Sequence, residues 1–522
     1  MIHSIKINEF RGLNNTEIRL GKYITAISGK NGLGKSTILA LVGNTCELKI
    51  KEGKTLFGTQ FRTEFSEIFK ADREFDKSGS NKCEINFSSL NNPERIKEKK
   101  ICRVTWQKER FRIIPETKTE GEKNSRKKEW PSLYLGLSRL YPIGEADDDG
   151  IKVKGIKIDE SDKEEFIKNY SEILNIKDDE ISLDMIDINE TKRKKGVGIS
   201  TTNYSSITNS AGQDNVGQII LAVLSFSKLK RENSGYKGGL LLIDELDATL
   251  HPVAQKKLLN FLIKKCKSLN LQVIFTTHSI SLLKDICIKT IHNKDELVNN
   301  CEIAYLTKNN GSLKVYRNPK FNIIENDLFI KAPGENIKKI TVYTEDNEGR
   351  WLLENLLPNE YLLRVDLVKI KLACTELISL NNNDPKYFSN VLFVVDGDVQ
   401  DKDINKSCRN DNIIKLPGKV RPEQVIYDFL MNLEEENPFW DNAMSLGLNK
   451  ESLEEHGPLS SDYKGKDRDR FKKWFLKNQL ILECKNVVEI WINENKDEYD
   501  KFLNNFRQAF NLIADRNLYP TI

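Results

Sequence analysis

Gly29-Lys30-Asn31-Gly32-Leu33-Gly34-Lys35-Ser36-Thr37 is the stretch that decides how this chain is read. It fits the pattern G-x-x-x-x-G-K-S, in which glycines free the backbone to turn successive N–H groups toward phosphate oxygens. Residues 2–9 and 22–28 alternate as strands around a turn at Arg11-Gly12-Leu13-Asn14-Asn15, and Ser36–Leu48 reads as a helix. The loop therefore lies between a strand and a helix N-terminus, where the helix dipole favours an anion. Lys35 is placed to reach the β- and γ-phosphates and Ser36 to ligate Mg²⁺. The expected cofactors are ATP and Mg²⁺, with Gly29, Asn31, Gly32, Gly34, Lys35, Ser36 and Thr37 as the binding set.

Downstream, Leu240-Leu241-Leu242-Ile243-Asp244-Glu245 is an apolar strand ending in two carboxylates. Asp244 suits a metal-side role, and Glu245 suits the base that orients or deprotonates an attacking water. Asn209-Ser210-Ala211-Gly212-Gln213 opens a helix expected near Asn215–Arg231. A further helix is expected at Pro252–Leu269 and a strand at Gln272–Thr276. Ser210 precedes Asp244 by 34 residues and His278 follows it by 34. This strand–helix alternation indicates an α/β class with a mainly parallel sheet.

On these motifs the chain resembles the ABC-type ATPases of the SMC and DNA-repair kind. The resemblance implies that Ser210, Gly212 and Gln213 contact the γ-phosphate held by an opposite subunit, and that His278 is a switch sensing it. Arg11 matches a basic residue those ATPases keep near the nucleotide, and Gln60 is a candidate Q-loop glutamine. His251, in Leu250-His251-Pro252, stands where transporter ATPases place an aspartate; that variant looks like the OLD-type ATPases of bacterial defence systems. Only about 170 residues separate the loop from Ser210, which leaves no room for a long coiled-coil arm.

A second α/β pattern begins at Ile340–Thr344, with a helix expected near Arg350–Leu357 and a strand at Val391–Val395. Glu345 ends the first of these strands; Asp396 and Asp398 follow the second. Carboxylates at strand ends suit one or two divalent ions and phosphodiester chemistry. This part resembles a Toprim domain, as in OLD-family nucleases and the Gabija nuclease subunit. The resemblance makes Glu345 a general base or metal ligand and Asp396 and Asp398 metal ligands for Mg²⁺ or Mn²⁺. Glu423 is a further acid, and one of Lys464, Lys466 and Lys472 a transition-state lysine. The family's Glu-Gly-x-x-Asp is replaced here by Glu345-Asp346-Asn347-Glu348-Gly349. Either Glu348 compensates or the domain is a scaffold, as in the Septu-type and retron-associated ATPases that work with a separate nuclease.

The expected organisation is an ATPase domain over 1–330 (core about 1–48 and 200–330, with insertions between), a Toprim-like domain over 331–425 and a helical region over 426–522. Ala332-Pro333-Gly334 marks the boundary. Trp440, Trp474 and Trp491 read as core residues. The 522 residues carry 81 Lys+Arg against 77 Asp+Glu, so nucleic-acid contact needs local basic patches. Lys123–Lys128, Lys192–Lys195 and Lys464–Lys473 are candidates, and Lys97–Lys100 is a further lysine-rich stretch. Nine cysteines without Cys-x-x-Cys argue against a zinc ribbon or a disulfide framework. No apolar run approaches a membrane span, so the expectation is a cytoplasmic protein. Its expected partners are a second copy in an even-numbered assembly, DNA or phage nucleic acid, and a separate effector.

Overall fold

The computed structural model describes every residue except 90, 91, 93, 120, 121, 125, 157, 177–180, 189–194, 293–300, 310, 330–336, 406–410 and 485. The boundary stretch Ala332-Pro333-Gly334 and most of the Lys192–Lys195 run lie outside the described residues. The chain forms two compact units, Met1–Ile330 and Lys331–Ile522.

Unit 1 begins with β1 (Ile2–Phe10), β2 (Leu13–Arg19) and β3 (Ile24–Gly29), followed by α1 (Lys35–Gly43). The helix stops five residues before the expected Leu48. Asn44 leaves it to bond laterally: its side chain donates to Ile113 O at 2.8 Å and accepts from Phe65 N at 3.2 Å. Next come β4 (Gly79–Ser88), β5 (Ile96–Gln107), β6 (Arg110–Thr119) and β7 (Ser132–Leu135). Then follow α2 (Ala211–Glu232), β8 (Gly239–Ile243), α3 (Pro252–Leu269), β9 (Leu271–Thr276), β10 (Cys301–Asn309) and β11 (Ser312–Arg317).

Two sheets result. An antiparallel sheet runs β2-β1-β4-β5-β6, with Glu122–Asn124 at its edge. The central sheet runs β7-β8-β9-β3-β10-β11 and is parallel except for its last pair. Ser132–Leu135 falls in a region read as insertions, yet it is the edge strand beside β8, paired Ser132↔Leu240 through Leu135↔Ile243. The strand is only four residues long with three of them apolar, between Pro131 and Gly136, which hides it among irregular neighbours. Strands β8 and β9 are buried on both faces, which explains the apolar runs Leu240–Ile243 and Val273–Phe275. A separate three-stranded sheet of Ile151–Gly155, Ser182–Ile188 and Lys195–Ser200 packs through its last strand on α2.

Unit 2 contains β12 (Ile340–Thr344), α4 (Asn347–Leu356), β13 (Val365–Leu367), β14 (Leu392–Val395) and β15 (Ile413–Lys415). Helices α5 (Pro422–Asn432), α6 (Asp467–Cys484) and α7 (Lys496–Asn517) follow. The sheet is wholly parallel in the order β13-β12-β14-β15. Helices beyond residue 425 share one hydrophobic core with this sheet: Phe506 and Trp474 belong to the same cluster as Val342 and Val394. Trp440, Trp474 and Trp491 are all buried in it. No helix among the described residues is long and apolar enough to cross a membrane.

Candidate functional site

In unit 1 the parallel strands β8, β9 and β3 lie side by side, so their carboxyl ends form one edge. Gly29 ends β3, and Gly34, at φ 84°, caps α1 in a left-handed conformation that a side chain would strain. A Cβ there would stand 3.0 Å from Leu13 Cδ2, so glycine lets Leu13 of β2 pack on the loop and ties the turn after Arg11 to it. Asn31 and Gly32 are exposed, whereas Lys35 and Thr37 are buried. The Lys35 ammonium folds back on the loop and donates to Gly29 O at 2.8 Å and Lys30 O at 2.9 Å. Burial pushes its pKa down, against the pull of Glu245, Asp244 and Asp247.

Asp244, 3% exposed, gathers the edge together. Its Oδ1 accepts from Ser36 Oγ at 3.0 Å and from Thr276 Oγ1 at 2.6 Å, and its Oδ2 accepts from Tyr134 OH at 3.4 Å. A serine hydroxyl and a buried carboxylate, both hard oxygen donors, fit Mg²⁺ beside a phosphate loop. Glu245 adopts φ 50°, with its N–H donating to Thr276 Oγ1 at 2.7 Å. His278 follows β9 half-buried. Burial, and then the Lys35 charge, push its pKa down, while Asp247, Glu245 and Asp244 oppose the shift.

Ser210 caps α2 and is exposed: its Oγ accepts from Gln213 N at 3.2 Å, and its N–H donates to Gln213 Oε1 at 2.8 Å. Gly212 lies so close to the turn after β8 that a Cβ would stand 2.6 Å from Thr249 O. His251 caps α3 with its own Nδ1, 3.3 Å from Val253 N. Arg11 is committed to Asp76, with Nε 2.7 Å from Oδ1, and it stacks among Phe10, Phe65 and Phe69. Burial would raise the Asp76 pKa, but the bonds from Arg11 and the Asp72 backbone hold it below its ordinary value. Gln60 donates to Leu48 O at 2.7 Å.

Sequence reasoning missed Arg139. Only 2% exposed, it donates to Asn215 Oδ1 at 2.8 Å, Gly136 O at 3.0 Å, Leu135 O at 3.3 Å and Glu245 O at 2.8 Å. Asn215, on α2, donates in turn to Ala248 O at 2.9 Å. One guanidinium thus joins the Ser210 helix to the Glu245 turn. Burial pushes its pKa down to about 10. No local pattern marks it, because its partners come from three separate segments.

In unit 2 the strand order reverses between β12 and β14, the position where open parallel sheets form a ligand crevice. Glu345 and Asp396 stand there. Glu345 is already engaged by backbone: Oε1 accepts from Asp396 N at 2.9 Å and Oε2 from Cys374 N at 3.2 Å. Asp398 faces Arg421 at 3.4 Å. Asp396 is 4% exposed, and its Oδ1 has no hydrogen-bond partner among the described residues; Glu423, 1% exposed, has a similarly unpartnered Oε1. Burial, then the charges of Glu345, Asp346, Glu423 and Asp398, push the Asp396 pKa up to about 9. Burial likewise raises Glu345 and Glu423.

Of the three candidate lysines, Lys472 reaches this crevice. It pairs with Asp346 and approaches Glu348 Oε2 at 3.4 Å. Burial alone would depress the Lys472 pKa, but the bond to Asp346 outweighs it and the pKa is raised. Asp346, not singled out from sequence, also caps α4 by accepting from Gly349 N at 3.0 Å. Among the described residues no three His, Cys, Asp or Glu side chains are arranged to hold one metal ion. Glu345, Asp396 and Asp398, expected as ligands, share a sheet edge, with Glu345 engaged by backbone amides and Asp398 paired with Arg421.

A phosphate-loop strand and a carboxylate-bearing strand separated by one further strand, with a serine-capped helix packed on the carboxylate turn, make unit 1 a P-loop ATPase-type domain. A fold of this class takes a nucleotide, usually with Mg²⁺. Residues 217–284, which include Asp244, Glu245 and His278, match the family model described as "AAA domain, putative AbiEii toxin, Type IV TA system". Among solved structures, the SMC head domain from Thermotoga maritima is similar at 14% identity and TM-score 0.32, over 60% of this chain and 98% of that one. An Smc head domain with an extended coiled coil from Pyrococcus furiosus, bound to the C-terminal domain of ScpA, is similar at 14% and 0.34, over 63% and 99%. The recombination mediator RecF is similar at 13% and 0.30, over 60% and 98%. No curated protein sequence matches the chain.

Proposed function

We propose that the chain is an ATP-hydrolysing switch of bacterial anti-phage defence, closing head to tail with a second copy and acting on nucleic acid through the acidic crevice of unit 2. The observation that supports the ATPase most is the convergence of Ser36, Asp244 and Thr276 beside Lys35 on one sheet edge. Ser36 and Asp244 would hold Mg²⁺, which when bound would supply charge neutralisation to the phosphates. Lys35 exchanges its two loop carbonyls for phosphate oxygens. Glu245 orients the attacking water and takes its proton, and His278, its pKa lowered, is neutral near pH 7 and donates one hydrogen bond. Ser210, exposed at the start of α2, is free to meet a partner's nucleotide.

The test is Glu245→Gln. The variant should bind ATP, hydrolyse it at least ~100-fold more slowly and elute as a dimer with ATP. Hydrolysis at the wild-type rate removes Glu245 from the role of base.

For unit 2, the unpartnered carboxylates of Asp396 and Glu423 favour a cation-dependent nuclease. The measurement is plasmid cleavage with Mg²⁺ or Mn²⁺, abolished in Asp396→Ala; intact DNA under every metal and nucleotide sinks that half. A second reading, a scaffold restraining a separate effector, is favoured by Lys472, whose ammonium already neutralises Asp346 and Glu348. The defence role draws on Leu250-His251-Pro252 and on the toxin–antitoxin description of the matched family. Equal phage plating on cells expressing wild type or Lys35→Ala, together with the neighbouring genes, would remove it.

A further inference from the structure

Beside the nucleotide site, unit 1 holds two adjoining cavities of about 600 Å³ and 480 Å³, with Arg62, Glu64, Ser66 and Arg110 in the wall of both. The first runs inward to Gln60, Tyr134 and Arg139. Two of these touch the catalytic carboxylate strand: Tyr134 OH reaches Asp244, and Arg139 holds Glu245 O. The second opens outward over Arg110, Arg112 and Arg126.

Charge distinguishes the outer cavity. Seven Lys or Arg and three Glu line it, a surplus of four, as large as the net charge of the entire 522-residue chain. Part of this is neutralised locally: Arg103 pairs with Glu116, and Arg62 and Lys127 with Glu64. Among the described residues, Arg110, Arg112 and Arg126 have no carboxylate partner. Arg110 and Arg112 alternate along β6 with the buried Phe111 and Ile113, so both project from the same face. Two strand residues span ~7 Å, on the scale of one step along an extended nucleic-acid strand. Guanidinium forks at that interval suit consecutive phosphates. A cavity of this size holds a drug-sized molecule, which is room for a short stretch of one strand but too little for a whole duplex to enter.

We infer that this groove binds the backbone of a single-stranded nucleic acid, and that its inner end couples the bound strand to the ATPase centre through Tyr134 and Arg139. The inference rests on the nucleic-acid part of the proposed function and names the surface that carries it. It places the contact beside one lysine-rich run of the sequence, Lys123–Lys128, whose Arg126 and Lys127 line the groove, whereas Lys97–Lys100 does not. Coupling is reciprocal: a strand that favours the ATP-bound state is itself bound more tightly with ATP present.

The experiment measures fluorescence anisotropy of a short labelled oligothymidylate, and of the matching ribo-oligomer, against the full chain over a range of salt. About three phosphate contacts at 0.7 per contact predict a slope of log Kd on log salt of about 2. Arg110→Glu/Arg112→Glu should weaken binding at least about tenfold and flatten the slope to about 1 or less. Lys97→Glu should stay within about twofold. An unchanged melting temperature shows that the double variant folds. Wild-type affinity in the folded double variant overturns the inference alone, as does a duplex bound as tightly as the single strand. A polyglutamate peptide displacing the oligonucleotide equally well also overturns it, because the groove is then a site for acidic protein segments. If wild type binds no nucleic acid even at low salt, the broader nucleic-acid reading falls with it. Nucleotide binding, measured separately, reports on the P-loop independently of either result.

Discussion

Replacing Arg139 with methionine tests whether a buried guanidinium holds the ATPase centre together. Methionine keeps much of the side-chain volume and flexibility, so cavity formation contributes little. Four donated hydrogen bonds are lost, to Asn215 Oδ1 and the carbonyls of Leu135, Gly136 and Glu245. At ~1.5 kcal/mol each for a charged donor, the loss is ~6 kcal/mol. Against this stands the cost of burying the cation. Burial outweighs the pull of Asp244, Tyr134, Glu245 and Asp247 and pushes its pKa down to about 10, a net cost of ~3 kcal/mol. Hydrogen bonding wins, and unit 1 should lose ~3 kcal/mol. Differential scanning calorimetry should show one transition lowered by several degrees and the transition of the other unit unmoved. Turnover should fall ~10- to 100-fold with KM for ATP little changed, because the Glu245 carbonyl is released while the phosphate loop is untouched. Arg139→Lys, which keeps the charge without the fork, should fall between the two. If Arg139→Met melts and turns over like wild type, the bonds only balance the burial cost and Thr276 alone positions Glu245.

Three other outcomes are expected. Gly212→Ala places a Cβ 2.6 Å from Thr249 O, so it should cost ~1–3 kcal/mol of unit 1 stability and weaken ATP-dependent dimerisation, read by light scattering. The Asp396 carboxyl, raised to about 9, keeps in the folded state a proton that the unfolded chain releases near pH 4. Its contribution is therefore fully present below about pH 4 and is lost as pH rises through about 9, at up to ~1.4 kcal/mol per pH unit. In EDTA, Asp396→Asn should flatten that decline and stabilise unit 2 near pH 8; a steeper decline in the variant refutes the assignment. Tryptophan fluorescence reports mainly on unit 2, which holds four of the six tryptophans, Trp351, Trp440, Trp474 and Trp491, all buried. Lys472→Met strips the partner from buried Asp346 and Glu348 and should cost ~3–5 kcal/mol. Mn²⁺ should restore most of that loss in a thermal melt if the crevice takes a cation; no recovery favours the scaffold reading.

Much of the ATPase site is legible in the primary structure for a physical reason. Wrapping a phosphate in backbone N–H groups requires glycine where φ is positive, as at Gly34, and a lysine and serine in a fixed local order. Strand β8 is equally legible, because a strand buried on both faces must be continuously apolar until it reaches the acids at its end. Helix α1 was overrun because the stop at Gly43-Asn44 depends on what Asn44 bonds, Ile113 and Phe65, which lie far along the chain. In unit 2 the strand-end acids Glu345 and Asp396 could be located. That backbone amides occupy Glu345 could not.

By itself, then, the sequence determined the contiguous chemistry: the phosphate loop, the Asp244-Glu245 strand end, the serine cap of α2 and the α/β class. These depend on neighbours along the chain and on periodicity. Tertiary structure alone decided which charges are paired and which stand unsatisfied. Arg139 became a clamp, Lys472 rather than Lys464 or Lys466 entered the crevice, Arg11 was drawn to Asp76, and Arg110 and Arg112 were left facing a groove. Each outcome rests on a balance between desolvation and partners supplied by remote segments, and that balance exists only once the chain has folded.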